Sequence, residues 1–415
     1  MFIKKLVLGL SWISALRVST RILAFVKIFV IARLLSPSQF GVFGIASLIL
    51  SILEVLTEPG INVFFIQKEG KIRQYLNSAW TLSIVRGFFL GVLIFAFSPL
   101  TLSFLSLSEA EKIDCENILR LIAFVPVIKG FVNPAVVSFL QDLNFRKEFI
   151  FRFVIFFIDA GIAIFSALIY PHPLCFVYGL IAGALMEVAL SFIFVAKRPN
   201  FEFSAGKIKH ILSRGKWITL HGISEFVYRN IDDFFVTKVF GPYYLGIYQM
   251  AYKIAVLPIT EIADVFGKVS FPMYAKVISK NKDSLNLILA KSSIFMILLL
   301  LPFIVFMNLY ASGIILFVLG DQWLNTVSLI KILVVYSFIR SLINPLLTYM
   351  LVCKKQEYLA YVSGTTMLIL IFLLIYLGYK FGVNGVALAV SISSFFSLLI
   401  TLYLFLKLKG QELRR

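Results

Sequence analysis

The sequence predicts an all-α integral membrane protein with about twelve transmembrane helices in two six-helix lobes, related by a pseudo-two-fold axis along the membrane normal. Three observations predict it: twelve long apolar stretches, basic residues concentrated in alternate connecting segments, and a repeat at half the chain length. Of 415 residues, 60% are hydrophobic and only 14% charged, whereas a soluble domain carries about 25% charged residues. About 20 apolar residues span a bilayer as a helix. The net charge of +18 sits in short segments between apolar runs, which argues against a nucleic-acid partner.

The first expected span, 10–34, is too long for the core of a signal peptide, contains Arg17 and Arg21, and lacks a small-residue cleavage site. The second, 40–63, contains Glu54 and Glu58 and ends near Pro59; the third, 77–98, contains Arg86. The fourth, 117–140, holds Lys129 between Pro126 and Pro134, the fifth, 150–170, holds Asp159, and the sixth, 174–196, holds Glu187. The basic segment 197–216 then links the halves. The seventh span, 217–240, carries Glu225, Arg229, Asp232 and Asp233; the eighth, 244–270, carries Lys253, Glu261, Asp264 and Lys268. Spans 288–311, 326–351, 358–379 and 384–406 complete the set, with Pro302 and Pro345 as potential kinks.

With the N-terminus cytoplasmic, twenty-four lysines and arginines fall in inner segments or at their edges, counting Arg152 and Lys291, and only Lys112 and Lys380 in outer ones. That bias fixes both termini in the cytoplasm. The first and seventh spans also match at an offset of 205 residues. Trp12-Ile13-Ser14 aligns with Trp217-Ile218-Thr219, Pro37 with Pro242, Gly41 with Gly246 and Phe43 with Tyr248. Both copies start on the same side, so the repeat is parallel and the lobes are 1–200 and 201–415. Parallel repeats suit transporters whose halves rock about a central site.

The remaining thirteen bases fall inside the spans, where a charge is costly unless it faces protein or a watery cavity. Arg17 and Arg21 share a helix face, roughly 9–15 Å in from the cytoplasmic end. A guanidinium fork matches phosphate geometry. With Arg86, Lys129, Arg229 and Lys253, these two are candidates for a cationic cavity that binds an anionic cargo. Snorkelling to the interface and pairing with nearby acids are the alternatives. Glu54, Glu58, Asp159, Glu225, Asp232, Asp233, Glu261 and Asp264 are candidates for coupling to H⁺ or Na⁺, or for fixed ion pairs. Three scattered cysteines and three scattered histidines form no metal-binding pattern, so neither metal nor organic cofactor is expected.

Several motifs carry a family resemblance. Ala32-Arg33-Leu34-Leu35-Ser36-Pro37-Ser38-Gln39-Phe40-Gly41 is one, and Glu58-Pro59-Gly60-Ile61 with Phe65-Ile66-Gln67 another. Phe139-Leu140-Gln141-Asp142-Leu143-Asn144-Phe145-Arg146, Asn230-Ile231-Asp232, Leu245-Gly246-Ile247-Tyr248, Phe271-Pro272 and Gly320-Asp321-Gln322-Trp323 follow in order. Together they resemble the polysaccharide-transporter family, the Wzx-like flippases within the multidrug/oligosaccharidyl-lipid/polysaccharide exporter superfamily. Asp142 departs from the pattern, standing where a basic residue is usual. The resemblance implies a MATE-like two-lobed bundle in a bacterial inner membrane that flips polyprenyl-pyrophosphate-linked oligosaccharides by alternating access. It implies lipid-linked oligosaccharide, membrane lipid and polysaccharide polymerase or assembly proteins as partners. It also implies an arginine-lined cavity to which Arg17, Arg21 and Lys253 contribute. Many members have fourteen spans, so the C-terminal pair that forms a lipid-tail groove has no counterpart among these twelve. A drug exporter of the same superfamily and a membrane glycosyltransferase or polymerase are the rival readings. Exporters of cationic cargo rely on acidic sites, and such enzymes need larger outer loops than these.

Overall fold

A computed structural model describes residues 2–61, 65, 72–103, 105, 107–278 and 282–413. All of the regular structure described is helical. Helices α1 (Phe2–Leu34), α2 (Pro37–Leu56), α3 (Ile72–Ser103), α4 (Glu109–Ile122) and α5 (Phe124–Gly130) come first. A 3-10 turn at Pro134–Val137 leads to the short α6 (Ser138–Gln141), then to α7 (Phe145–Ile169) and α8 (Leu174–Phe194). The second half contains α9 (Ala205–Ala255), α10 (Leu257–Ile278), α11 (Lys282–Val318), α12 (Thr326–Val352) and α13 (Gln356–Leu413).

Seven of these helices contain segments long and apolar enough to cross a membrane, in α2, α3, α7, α8, α11, α12 and α13. An eighth crossing results if the bent pair Glu109–Gly130 and Pro134–Gln141, which turns by 69°, counts as one broken span. Fewer crossings are thus identified than the sequence suggests. The first, seventh and eighth expected spans lie in α1, α9 and α10, which are outside that set, and the last two run together in α13. Yet α9 and α13 are not single rods. Their backbones leave the helical region at Gly241 (φ 80°, ψ −174°) and Gly382 (φ 63°, ψ −146°).

Local sequence explains the breaks. Gly241 adopts a conformation that a side chain resists, and Pro242 then starts the next helix without needing its missing N–H. The first repeat turns at the equivalent Ser36-Pro37. There Ser36 caps α2 by accepting the Gln39 N–H, while the Gln39 side chain accepts the Ser36 N–H, and Pro37 occupies the first turn. A second box, Ser108 with Glu111, starts α4.

The chain divides into two compact units, Met1–Asn230 with Gly241–Tyr243, and Ile231–Phe240 with Tyr244–Arg415. In the first unit α7 packs between α1 and α8, and α3 packs against α5. One end of this unit closes over a cluster that includes Ile61, Phe65, Leu76, Val137, Phe139, Phe151, Val195 and Ile211. Each comes from, or borders, a segment that the charge pattern places inside. At the opposite end Ser38 donates to Glu111 (2.6 Å), and His172 approaches Asp114 (3.4 Å). Loops of like parity therefore meet at like ends. In the second unit α12 is the central helix, packed on α10, α11 and α13 and with half of its apolar segment buried.

Gly241→Ala should cost about 1–3 kcal/mol, the strain of a side chain in that backbone region. The midpoint of thermal unfolding in detergent should fall accordingly. An unchanged midpoint would show that the α9 break does not need glycine.

Candidate functional site

Arg17 and Arg21 stand one turn apart on α1, which α7 covers along one side. The seam is marked by Trp12 against Phe149, with ring centroids 5.2 Å apart, and by Lys27, which donates to Asp159 at 2.6 Å. By helical period, Arg17 and Arg21 lie roughly 80° and 120° around α1 from Lys27. They therefore project away from this seam. Arg17 is half-buried and has no ion-pair partner among the described residues, whereas Arg21 is exposed and does make a polar or ring contact.

Arg86 behaves differently. From α3 its Nη2 donates to the Glu54 carbonyl (2.6 Å), its Nε donates to Thr57 Oγ1 (3.1 Å), and it pairs with Glu58 at 3.4 Å. The guanidinium therefore caps the C-terminal end of α2, where unpaired carbonyls and the helix dipole favour a cation. Thr219 Oγ1 donates to the Glu58 carbonyl on the same turn, at 2.5 Å. Sequence reasoning gave Arg86 no local acid, and the structure supplies Glu58 from the preceding helix end. The Glu54 carboxylate itself is half-buried and has no partner among the described residues. Lys129 is exposed just before the bend that follows α5, also without a partner there.

Asp159 is not an isolated carboxylate. Its pair with Lys27 is well buried, with side-chain exposures of 12% and 15%, and its second oxygen, Oδ1, is buried without a hydrogen bond. Gly179 on α8 makes room for it: a Cβ there would lie 2.6 Å from the Asp159 carbonyl and 2.7 Å from Oδ1. Arg152 likewise bridges Glu148 (3.1 Å) and Glu187 (2.9 Å). The Lys27–Asp159 pair was not legible in the sequence, because its members are 132 residues apart.

The acidic group expected on the seventh span is split. Arg229 pairs back to Glu225, in the first unit, while Asp232 and Asp233 belong to the second. There Tyr248 donates to Asp232 (2.6 Å) and Gln249 to Asp233 (3.0 Å), across the hairpin that breaks at Gly241. Lys253 lies one turn beyond Gln249 on the same face. Arg340 of α12 donates to Tyr336 Oη (2.8 Å), whose ring lies 6.5 Å from that of Tyr252. Sequence reasoning gave no site role to Tyr248, Tyr252, Tyr336 or Arg340; the repeat and the family motif flag Tyr248, and the in-span charge flags Arg340. Lys253 and Glu261 are half-buried and each has a partner. The side chains of Asp264 and Lys268 lie outside the described residues, as do Lys68, Lys71, Lys280, Arg414 and Arg415.

A sequence profile of the family described as "Polysaccharide biosynthesis protein" matches residues 30–328. The chain belongs to this family. It is 23% identical over 345 residues to the "Lipopolysaccharide biosynthesis protein WzxC" of Escherichia coli (strain K12), covering 83% of this chain and 69% of that protein. Among solved structures, the "Lipid II flippase MurJ, inward closed conformation" superposes with a TM-score of 0.76 at 17% identity. The superposition covers 94% of this chain and 86% of that one. An inward-facing multidrug resistance MATE family transporter of the MOP superfamily gives 0.71 at 14% identity, covering 95% of each chain. This member of the family therefore has the all-α, MATE/MOP-like membrane fold that the motifs led us to expect.

Lys27→Met should destabilise the first unit by about 3–5 kcal/mol, because it strands a buried carboxylate. Adding Asp159→Leu should recover most of the loss by removing that charge. The unfolding midpoints of the two variants test this, and equal losses in both would refute the pairing account.

Proposed function

We propose that this protein flips a polyprenyl-pyrophosphate-linked oligosaccharide, the repeat unit of an O-antigen, capsule or exopolysaccharide, between leaflets of a bacterial inner membrane. Cargo moves from the cytoplasmic to the periplasmic leaflet, and both termini of the transporter lie in the cytoplasm. Twelve helices form two six-helix lobes, 1–200 and 201–415. The broken helices α9 and α13 each provide two of those crossings, meeting at Gly241 and Gly382. Family membership, the likeness to WzxC and the fold shared with a lipid II flippase support the reading. The observation that carries it is the arginine pair on α1, turned away from the α7 seam.

The chemistry follows from those side chains. A pyrophosphate cannot enter hydrocarbon bare, and guanidinium forks replace its hydration with paired, charge-assisted hydrogen bonds. Arg17 and Arg21 bind the headgroup, and Lys129 and Lys253 add point charges. Aromatic side chains stack on the sugars, while the polyprenyl tail stays in lipid. Arg86 and Arg229, already held by Glu58 and Glu225, shape the helices that present the others. The unpartnered Glu54 is the candidate proton or Na⁺ site, with Asp232 and Asp233 second. A polymerase or assembly protein receives the flipped unit. The protein is thus a transporter and carries out no covalent chemistry.

A drug exporter remains the rival reading because the fold is shared with a multidrug transporter. It requires acids open to a cationic cargo; Asp232 and Asp233 are engaged by Tyr248 and Gln249, which leaves it Glu54.

In proteoliposomes loaded with a fluorescent polyprenyl-pyrophosphate oligosaccharide, Arg21→Ala should slow flipping at least about tenfold, the effect of losing one charge-assisted hydrogen bond. Arg21→Lys should keep part of the rate, since charge persists without the fork. Full activity in the alanine variant would discard the site. Transport of a cationic dye, without transport of the lipid, would favour the exporter.

Coupling is tested in the same vesicles. Glu54→Gln should remove the response of flipping to an imposed pH or Na⁺ gradient while leaving the gradient-free rate near that of the parent. An unaltered response would clear Glu54 of the role.

A further inference from the structure

The segment joining α8 to α9 does not become helical until Ala205. Residues 195–204 run as an extended strap across one end of the first unit. An extended backbone has no internal hydrogen bonds, so near a membrane it needs side chains to satisfy it. Here they are supplied. The Asn200 N–H donates to Asn77 Oδ1 and the Glu202 N–H to Thr81 Oγ1, both at 3.0 Å and one turn apart on α3. Asn133 Nδ2 donates to the Lys197 carbonyl at 2.7 Å.

Residues 200 and 202 are thereby held against α3, while the phenylalanines that follow each of them, Phe201 and Phe203, remain open. They are 68% and 79% exposed. Phe201 nevertheless touches Trp80, with ring centroids 4.8 Å apart, and the Trp80 indole N–H donates to the Phe131 carbonyl at 3.0 Å. Exposed aromatic residues near a helix end mark the boundary between acyl chains and headgroups, and here Phe201 is the exposed ring over the buried Trp80. Asn77 and Thr81 lie near the start of the apolar segment of α3, which begins at Gln74.

Charge completes the pattern. Lys197, Arg198 and Lys209 are exposed around the two phenylalanines, with Arg198 lying over the Phe192 ring at 5.5 Å. Lys207 is paired with Glu202 at 2.6 Å, and that hydrogen bond holds the Glu202 carboxyl below its usual range, so the acid offsets Lys207 alone. Among the described residues, three bases therefore remain uncompensated within the strap and the first turns of α9. Arg146 and Lys147, exposed at the start of α7, extend the same positive field.

We infer that the strap 195–209 is a docking surface for anionic phospholipid: Phe201 and Phe203 insert at the acyl boundary while Lys197, Arg198 and Lys209 bind the headgroups. Apolar area and cationic attraction add in such interfacial segments, and each base near an anionic surface contributes about 1 kcal/mol. The strap leads directly into α9, so lipid held there braces the connection between the two halves of the sequence. This inference does not depend on the cargo.

Native mass spectrometry of the full chain in detergent, titrated with phosphatidylglycerol or phosphatidylcholine, tests it. The parent should retain phosphatidylglycerol at several-fold higher occupancy than phosphatidylcholine. The Lys197→Gln/Arg198→Gln/Lys209→Gln variant should lose that preference, and Phe201→Ser/Phe203→Ser should retain less of both lipids. A control that removes three bases from the second unit, Lys354→Gln/Lys407→Gln/Lys409→Gln, should keep the preference. No headgroup preference in the parent, or equal loss in the control, would overturn the inference. So would displacement of phosphatidylglycerol from the strap by an equimolar polyprenyl pyrophosphate, since the surface would then belong to the cargo.

Discussion

A charge buried among packed helices must find a partner on its own helix or the next one, or open onto water, and the placement of Lys27, Arg86 and Asp232 follows from that. Lys27 reaches Asp159 across the α1–α7 seam, and Gly179 leaves space for the carboxylate. Arg86 caps the α2 end, and Asp232 takes the Tyr248 hydroxyl. The same constraint governs the backbone. Where α2 stops, Arg86 and Thr219 take its last carbonyls; where the strap runs extended, Asn77 and Thr81 take its amides.

Satisfying most of the charges makes the remainder informative. Arg86, Arg152 and Arg229 each lie against a carboxylate, so their guanidiniums mainly hold helices together. Arg17 and Lys129 have no such partner among the described residues. Half-buried Arg17 is costly to stability in that state, and under the proposed function a phosphorylated ligand relieves the cost. The paired charges hold the frame together, and Arg17 and Lys129 are left for that ligand.

Much of this arrangement was legible in the sequence wherever the signal was local. Hydrophobic length located α2, α3, α7, α8, α11 and α12. The Ser36-Pro37 and Gly241-Pro242 turns followed from the offset repeat, and the Glu225–Arg229 pair from a spacing of four. What the sequence hid was tertiary. Lys27 and Asp159 share no spacing rule, and Arg86 met its acid through the end of a neighbouring helix. The helix boundaries inside α9 and α13 depend on one glycine each, and sequence hydropathy does not report where a long apolar run bends. The strap was hidden for a related reason. Its basic composition does not report that Pro199 and the hydrogen bonds from Asn200 and Glu202 to α3 keep it out of the helix up to Ala205.

The offset of 205 residues also shows how the two copies came to hold opposite charges at equivalent places. Lys27 in the first copy corresponds to Asp232 in the second, and Phe43 corresponds to Tyr248. A buried acid needs a donor, and the second copy places the Tyr248 hydroxyl beside Asp232. A buried lysine needs an acceptor, which a tyrosine in that position would supply poorly. The first copy takes Asp159 from α7 instead and leaves Phe43 to stack on Phe176, with ring centroids 4.3 Å apart. Arg17 and Arg21 correspond to Gly222 and Phe226, so the arginine pair exists in one copy only. Under the proposed function the pyrophosphate therefore meets its guanidinium pair on α1, with no equivalent pair in the second copy.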